Sequence, residues 1–114
     1  MQVNDIKAFV PCENYEVSKL FYQEIGFKLE NASDDLTLLL NGDCRLFLQR
    51  FYNSDLADNF MLQVCVADIN AAYELCSQSV YKRKISAIEK EHWGTVFYLW
   101  GPSGELLHIT QLCN

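Results

Sequence analysis

Residues 93–110 read WGTVFYLWGPSGELLHIT. Two runs rich in aromatic and aliphatic residues, Thr95–Trp100 and Glu105–Leu112, flank the turn Gly101-Pro102-Ser103-Gly104. That pattern predicts an antiparallel hairpin, because glycine and proline supply turn geometry and bulky side chains suit a pleated surface. The second run carries one histidine, His108, among apolar neighbours. Three roles are open to it: metal ligand, contact to a bound molecule, or a satisfied polar group in a sheet.

Working outward, the residues before the hairpin predict a strand at Phe60–Val66 and a helix at Ile69–Gln78 capped by Asp68, then a short strand near Lys84–Ile88. The first half repeats this order. Strand Ile6–Cys12 is followed by helix Tyr15–Ile25, with Asn14 as cap and Gly26 as stop. Short strands follow near Phe27–Glu30, Leu36–Leu40 and Cys44–Phe51, the last two joined by Asn41-Gly42-Asp43. Asp68 follows Asn14 by 54 positions, and the same offset carries Val10 onto Val64 and Phe21 onto Leu75. The chain therefore reads as two β-α-β-β-β modules, about 5–52 and 59–113, within a single α+β domain spanning 1–114. Each sheet can bury one face under its helix and curl the other into a cup. The polar connection 52–59 is too short for a linker, and Glu89–Trp93 is expected to be a mobile rim loop.

With 114 residues, half of them hydrophobic, the chain can bury a core. No apolar stretch approaches the roughly 20 residues that cross a bilayer, and the opening residues do not resemble an export signal, so a cytoplasmic protein without membrane partners is expected. The net charge of −6 disfavours nucleic acid. The basic cluster at 81–84 reads as a solvated turn and strand start. Five cysteines cannot all pair within one chain. Four of them fall in strand-like or helix-like runs and are expected to behave as small core groups in a reducing compartment.

Three segments together carry a resemblance: FVPCENYEVSKLFYQEIGFKL (9–29), with Ser18, Phe21-Tyr22 and Gly26-Phe27; MLQVCVADINAAYELC (61–76); and WGTVFYLWGPSGELLHI (93–109). In this order they resemble the glyoxalase/bleomycin-resistance/extradiol-dioxygenase family, the vicinal oxygen chelate fold. Departures are Gly101, where the closing turn commonly has aspartate, and Asn14, where the first cap is often aspartate. The resemblance implies two tandem modules forming a cup-shaped mixed sheet. In metal-dependent members it implies ligands at Lys7, Phe47, Met61 and His108. A catalytic ion needs about three protein ligands and an open position, and among these four only His108 can ligate. No metal, cofactor or catalytic residue is therefore expected, and no nucleophile elbow or activated cysteine is present.

Strand alternation predicts an inward set of Lys7, Phe9, Phe47, Gln49, Met61, Gln63, Val96, Tyr98, Trp100, His108 and Thr110, with Trp93 at the rim. Aromatic surface with a few polar groups suits an organic ligand, and a cationic aromatic would gain from stacking on Tyr98 or Trp100. The resemblance implies a homodimer with drug bound in crevices between two chains. The expected function is a non-catalytic small-molecule binding protein of bleomycin-resistance type that sequesters a toxic or antibiotic compound. Two alternatives stand beside it. One is a metal-dependent glyoxalase-like enzyme (lyase, thiol transferase or dioxygenase), and the other a structural or regulatory dimer module.

Overall fold

Asn14 opens the first helix by accepting a hydrogen bond from Val17 N at 3.1 Å, and Asp68 opens its counterpart by accepting from Asn70 N and Ala71 N. These caps satisfy amides that the helices themselves leave unpaired. The structure, a computed structural model, describes residues 1–78 and 84–113. The first module runs β1 (Phe9–Pro11), α1 (Tyr15–Glu24), β2 (Lys28–Asn31), β3 (Leu36–Asn41) and β4 (Cys44–Gln49). A short helix α2 (Ser54–Asp58) leads into the second: β5 (Met61–Cys65), α3 (Ile69–Ser77), β6 (Glu89–Glu91), β7 (Gly94–Trp100) and β8 (Leu106–Leu112).

The strands form two four-stranded sheets with the same wiring, β1-β4-β3-β2 and β5-β8-β7-β6. In each, the first strand pairs parallel with the last and the other neighbours are antiparallel. Helix α1 ends in a Schellman motif: Gly26, at φ +110, lets Phe27 N reach Tyr22 O at 3.0 Å and Gly26 N reach Gln23 O at 3.1 Å. Gly42, at φ +57, makes the tight turn between β3 and β4.

Four local expectations change. The connection 52–59 contains α2, capped by Asn53 accepting from Leu56 N at 3.1 Å. The expected strand at Lys84–Ile88 holds only a bridge, Ile85 to Leu99, and the paired strand begins at Glu89 opposite Val96. Four steps along one chain then oppose three on the other, a one-residue bulge that interrupts the ladder. The supposed rim loop is consequently mostly strand, with only His92 and Trp93 in the turn. Finally, of the four cysteines expected in the core, Cys12 and Cys76 are buried but Cys44 and Cys65 are exposed, as is Cys113. Of the basic cluster at 81–84, only Lys84 lies within the described residues.

One cluster of buried side chains draws on both modules, including Val10, Phe21, Tyr22, Leu39 and Leu48 from the first and Ile69, Phe97, Leu99, Leu107 and Ile109 from the second. Each fully buried aliphatic of this kind contributes roughly 1.5–3 kcal/mol relative to exposure. The helix-bearing faces of both sheets share this core, so their opposite faces lie on the outside. Phe9 on the first sheet is 47% exposed and Met61 on the second 61%.

Candidate functional site

Strand pairing fixes which side chains share each open face, because neighbours in register point to the same side. On the second sheet one row runs Lys84, Trp100, Leu106, Met61 and the next Ser86, Tyr98, His108, Gln63, with Lys84 and Ser86 placed by their backbone bonds to Trp100 N and Tyr98 O. Tyr98 meets His108 edge to face at 5.0 Å between centroids and lies 6.4 Å from Trp100 at a tilt. Glu89, Val96, Thr110 and Cys65 form the third row; Val96 and Thr110 are fully buried, whereas Glu89 and Cys65 are exposed.

On the first sheet the central row is Phe9, Phe47, Leu38, Glu30, with Phe9 and Phe47 stacked at 5.0 Å. Gln49 and Leu36 form the adjoining row. Lys7 precedes β1 and is ion-paired with Asp5 at 2.6 Å. That bond and the nearby charge hold the Asp5 carboxyl below its ordinary range.

The expected ligand-contacting residues thus fall into two groups. Phe9, Phe47 and Gln49 share the first sheet's open face, with Lys7 at its end. Met61, Gln63, Tyr98, Trp100 and His108 share the second's. Trp93 joins neither: it sits in the β6–β7 turn, 37% exposed, where its carbonyl accepts from Cys113 N. It lies five strand positions, about 17 Å, from Tyr98. A pocket of about 400 Å³ at that end is lined by Lys90, Glu91, Gly94, Thr95, Gln111, Leu112 and Cys113. It touches none of the aromatic rows. Residues that the sequence reading passed over also belong to the open faces: Leu36, Leu38 and Arg45 by the same period-two rule, and Lys84, whose ammonium lies 4.4 Å above the Trp100 ring.

The two modules are joined by a buried polar junction. Glu105 is fully buried. Its Oε2 accepts from the Tyr22 hydroxyl at 2.8 Å and its Oε1 from Ser103 N at 2.9 Å, while Ser103 Oγ accepts from Glu13 N at 2.8 Å. Burial pushes the Glu105 carboxyl above its usual range, against the opposing pull of these bonds. Burial likewise raises the Tyr22 hydroxyl, and it lifts the Cys12 thiol to about 11, with the Glu105 charge adding to both.

This junction accounts for Gly101. A Cβ at that position would run into the Glu105 carboxyl, whose bond to Ser103 N is the one an aspartate two residues before Ser103 would make. Glu105 thus supplies from one side the carboxylate that the common turn supplies from the other. The Tyr22 partner lies in the first module, so the substitution also ties the closing turn to α1.

The metal that glyoxalase-type chemistry requires does not fit these side chains. Beside His108 the same-face neighbours in register are Gln63 and Tyr98, an amide and a phenol. Among the described residues no group of three or more His, Cys, Asp or Glu is placed to hold an ion. One imidazole falls short of the roughly three protein ligands a catalytic ion takes.

No family model matches the chain, and neither does any curated protein. Solved structures do. A bleomycin-binding protein complexed with bleomycin is similar over 96% of this chain and 98% of its own, at 24% identity and a TM-score of 0.77. The bleomycin resistance determinant encoded on transposon Tn5 is similar over 96% and 98%, at 23% identity and 0.79. TnmS3, an antibiotic binding protein from Streptomyces sp. CB03234, is similar over 99% of both chains, at 16% identity and 0.84. These likenesses show the fold, two paired β-α-β-β-β modules, which this chain shares with those proteins.

Proposed function

We propose that this protein is a non-catalytic binder of small organic molecules that sequesters a toxic or antibiotic compound in crevices between two copies of the chain. The observation that carries the reading is the pair of open sheet faces, each lined with aromatic side chains and each left outside the shared core. Phe9 stacks on Phe47 while 47% exposed, and Tyr98, Trp100 and His108 form a second aromatic surface. Contiguous apolar surface of this kind marks a binding face. A flat ligand on one chain alone meets one face. A second copy that presents its other sheet encloses the ligand between the Phe9/Phe47 surface and the Tyr98/Trp100 surface, giving two equivalent crevices per homodimer.

The similar solved structures support this reading, since two of those described above are named for binding bleomycin or another antibiotic and the third for bleomycin resistance. The donor set around His108 favours binding over metal-assisted catalysis. Among the described residues no helix is long and apolar enough to cross a membrane. The exposed free thiols suit a reducing compartment, and we place the protein in the cytoplasm, without nucleic-acid or membrane partners.

The test is a panel of planar aromatic compounds, cationic, neutral and anionic, titrated against the protein while Trp fluorescence and sedimentation velocity are recorded. Saturable binding to a dimer, lost in Tyr98→Ala and in Phe47→Ala, is the expected result. A monomer that binds no member of the panel contradicts it. Metal retained stoichiometrically after purification and released by His108→Ala would favour the glyoxalase-like enzyme instead.

A further inference from the structure

We infer that the ligand of these crevices is an anionic aromatic, a flat molecule bearing a carboxylate, sulfonate or phenolate; this rests on the small-molecule reading above. The net charge of −6 points toward a cation, so the placement of the charges has to decide. Lys84 stands in register with Trp100, whose amide donates to the Lys84 carbonyl at 3.0 Å, and its Nζ lies 4.4 Å from the centre of the Trp100 ring. An ammonium above an indole is the arrangement a cationic ligand would seek on this surface. The chain already fills it. A ligand cation would have to displace Lys84 and then remain within repulsive range of it. An anion stacked beside the ring pairs with the ammonium in place.

The first sheet's open face has the same bias. Continuing the β1–β4 parallel pairing two residues before Phe9 sets Lys7 beside Arg45, and Arg45 pairs with Leu40, which pairs with Lys28. One row therefore presents three cations next to the Phe9–Phe47 stack. Lys7 has Asp5 as its counter-ion at 2.6 Å. Among the described residues Arg45 and Lys28 form no ion pair, Arg45 donating to the Asp43 carbonyl at 3.3 Å, although the Asp5 carboxylate also feels the Arg45 charge. The carboxylates in adjoining rows are Glu30 on this sheet and Glu89, opposite Val96, on the other. Much of the acidic excess lies elsewhere, with Asp34 and Asp35 in a loop, Asp55 and Asp58 in α2 and Asp68 at a helix cap. Closing the two faces on each other sets Lys84 on one wall and Arg45 with Lys28 on the other. The acidic exterior then serves solubility, while the crevice favours negative charge.

The experiment compares two probes of matched shape and opposite charge, 2-naphthoate and 2-naphthylmethylammonium, by calorimetric titration of the whole protein at low and moderate ionic strength. Naphthoate is expected to bind about tenfold more tightly, with the margin shrinking as salt screens the pairing. Lys84→Gln and Arg45→Gln, both at surface positions, should each weaken naphthoate about two- to fivefold without moving the melting temperature. Lys84→Gln should also improve the ammonium probe by freeing the Trp100 ring. Tighter binding of the ammonium by the unmodified protein, or a charge preference unaltered in both variants, overturns the inference and leaves the small-molecule reading standing. Binding of neither probe nor any neutral aromatic removes that reading and the inference with it.

Discussion

Among the described residues buried Glu105 has no cationic partner, and replacing it separates the contribution of its shape from that of its charge. Glu105→Gln keeps the shape: the amide oxygen accepts from Ser103 N as the carboxyl does, while the Tyr22 bond, in which the hydroxyl donates, is replaced by one in which the amide nitrogen donates to the hydroxyl oxygen, with no charge to desolvate. Glu105→Ala strands both partners, at about 1–3 kcal/mol each, and leaves a cavity, so a loss of about 3–5 kcal/mol is expected. The pH dependence has a definite sign. Burial raises the folded carboxyl above its ordinary 4.5, so the folded state binds the proton more tightly than the unfolded chain does. Its contribution is fully present below about 4.5 and declines as pH rises through the folded value. The glutamine variant carries no such slope and should match or exceed the parent by about 1–2 kcal/mol at neutral pH. Urea denaturation followed by circular dichroism between acid and neutral pH, at one protein concentration, measures both. Parallel pH profiles for the parent and Glu105→Gln would refute the reasoning, as would a glutamine variant less stable than the parent by more than about 2 kcal/mol at neutral pH.

Asp68→Ala removes the acceptor shared by Asn70 N and Ala71 N and should cost about 1 kcal/mol, read from the urea midpoint. Gly101→Asp drives a second carboxylate into the space Glu105 occupies; it should destabilise the parent by about 1–3 kcal/mol yet cost markedly less in the Glu105→Ala background, which a double-mutant cycle on melting curves detects. A colorimetric thiol reagent should react quickly with Cys44, Cys65 and Cys113 in the native protein and with Cys12 and Cys76 only on unfolding, since the latter are buried and burial holds Cys12 at about 11. Protection of Cys65 on adding a bound aromatic would place that ligand on the second sheet's open face.

Much of the fold was legible because its signals are local. The caps Asn14 and Asp68, the stop at Gly26 and the turn at Gly42 each act within a few residues of the element they end or begin, and strand alternation follows from the pleat. Helix α2 escaped because its five residues (Ser54–Asp58) are too few for a helical period, leaving Asn53 as the one signal. The shift of the sixth strand to Glu89–Glu91 came from a bulge, which alternation cannot reveal since an inserted residue merely changes its phase. Glu105 was illegible for another reason. A charged residue after a glycine turn reads as exposed, and the hydroxyl that satisfies it belongs to Tyr22, 83 positions earlier. The exposure of Cys65, by contrast, was available from its alternation with Met61 and Gln63. The repeat specified each module, but not how the two sheets face one another, and the binding surface depends on that relation.

The most direct test is the binding map of a bound aromatic on the isotopically labelled protein, taken from amide and side-chain nuclear magnetic resonance shifts with the rotational diffusion of the complex. The account predicts a dimer in which one ligand per chain perturbs Phe9 and Phe47 together with Tyr98, Trp100 and His108, intermolecular contacts joining the two sets. Shifts confined to a single sheet of a monomer, or centred on the pocket beside Lys90 and Gln111, would contradict it.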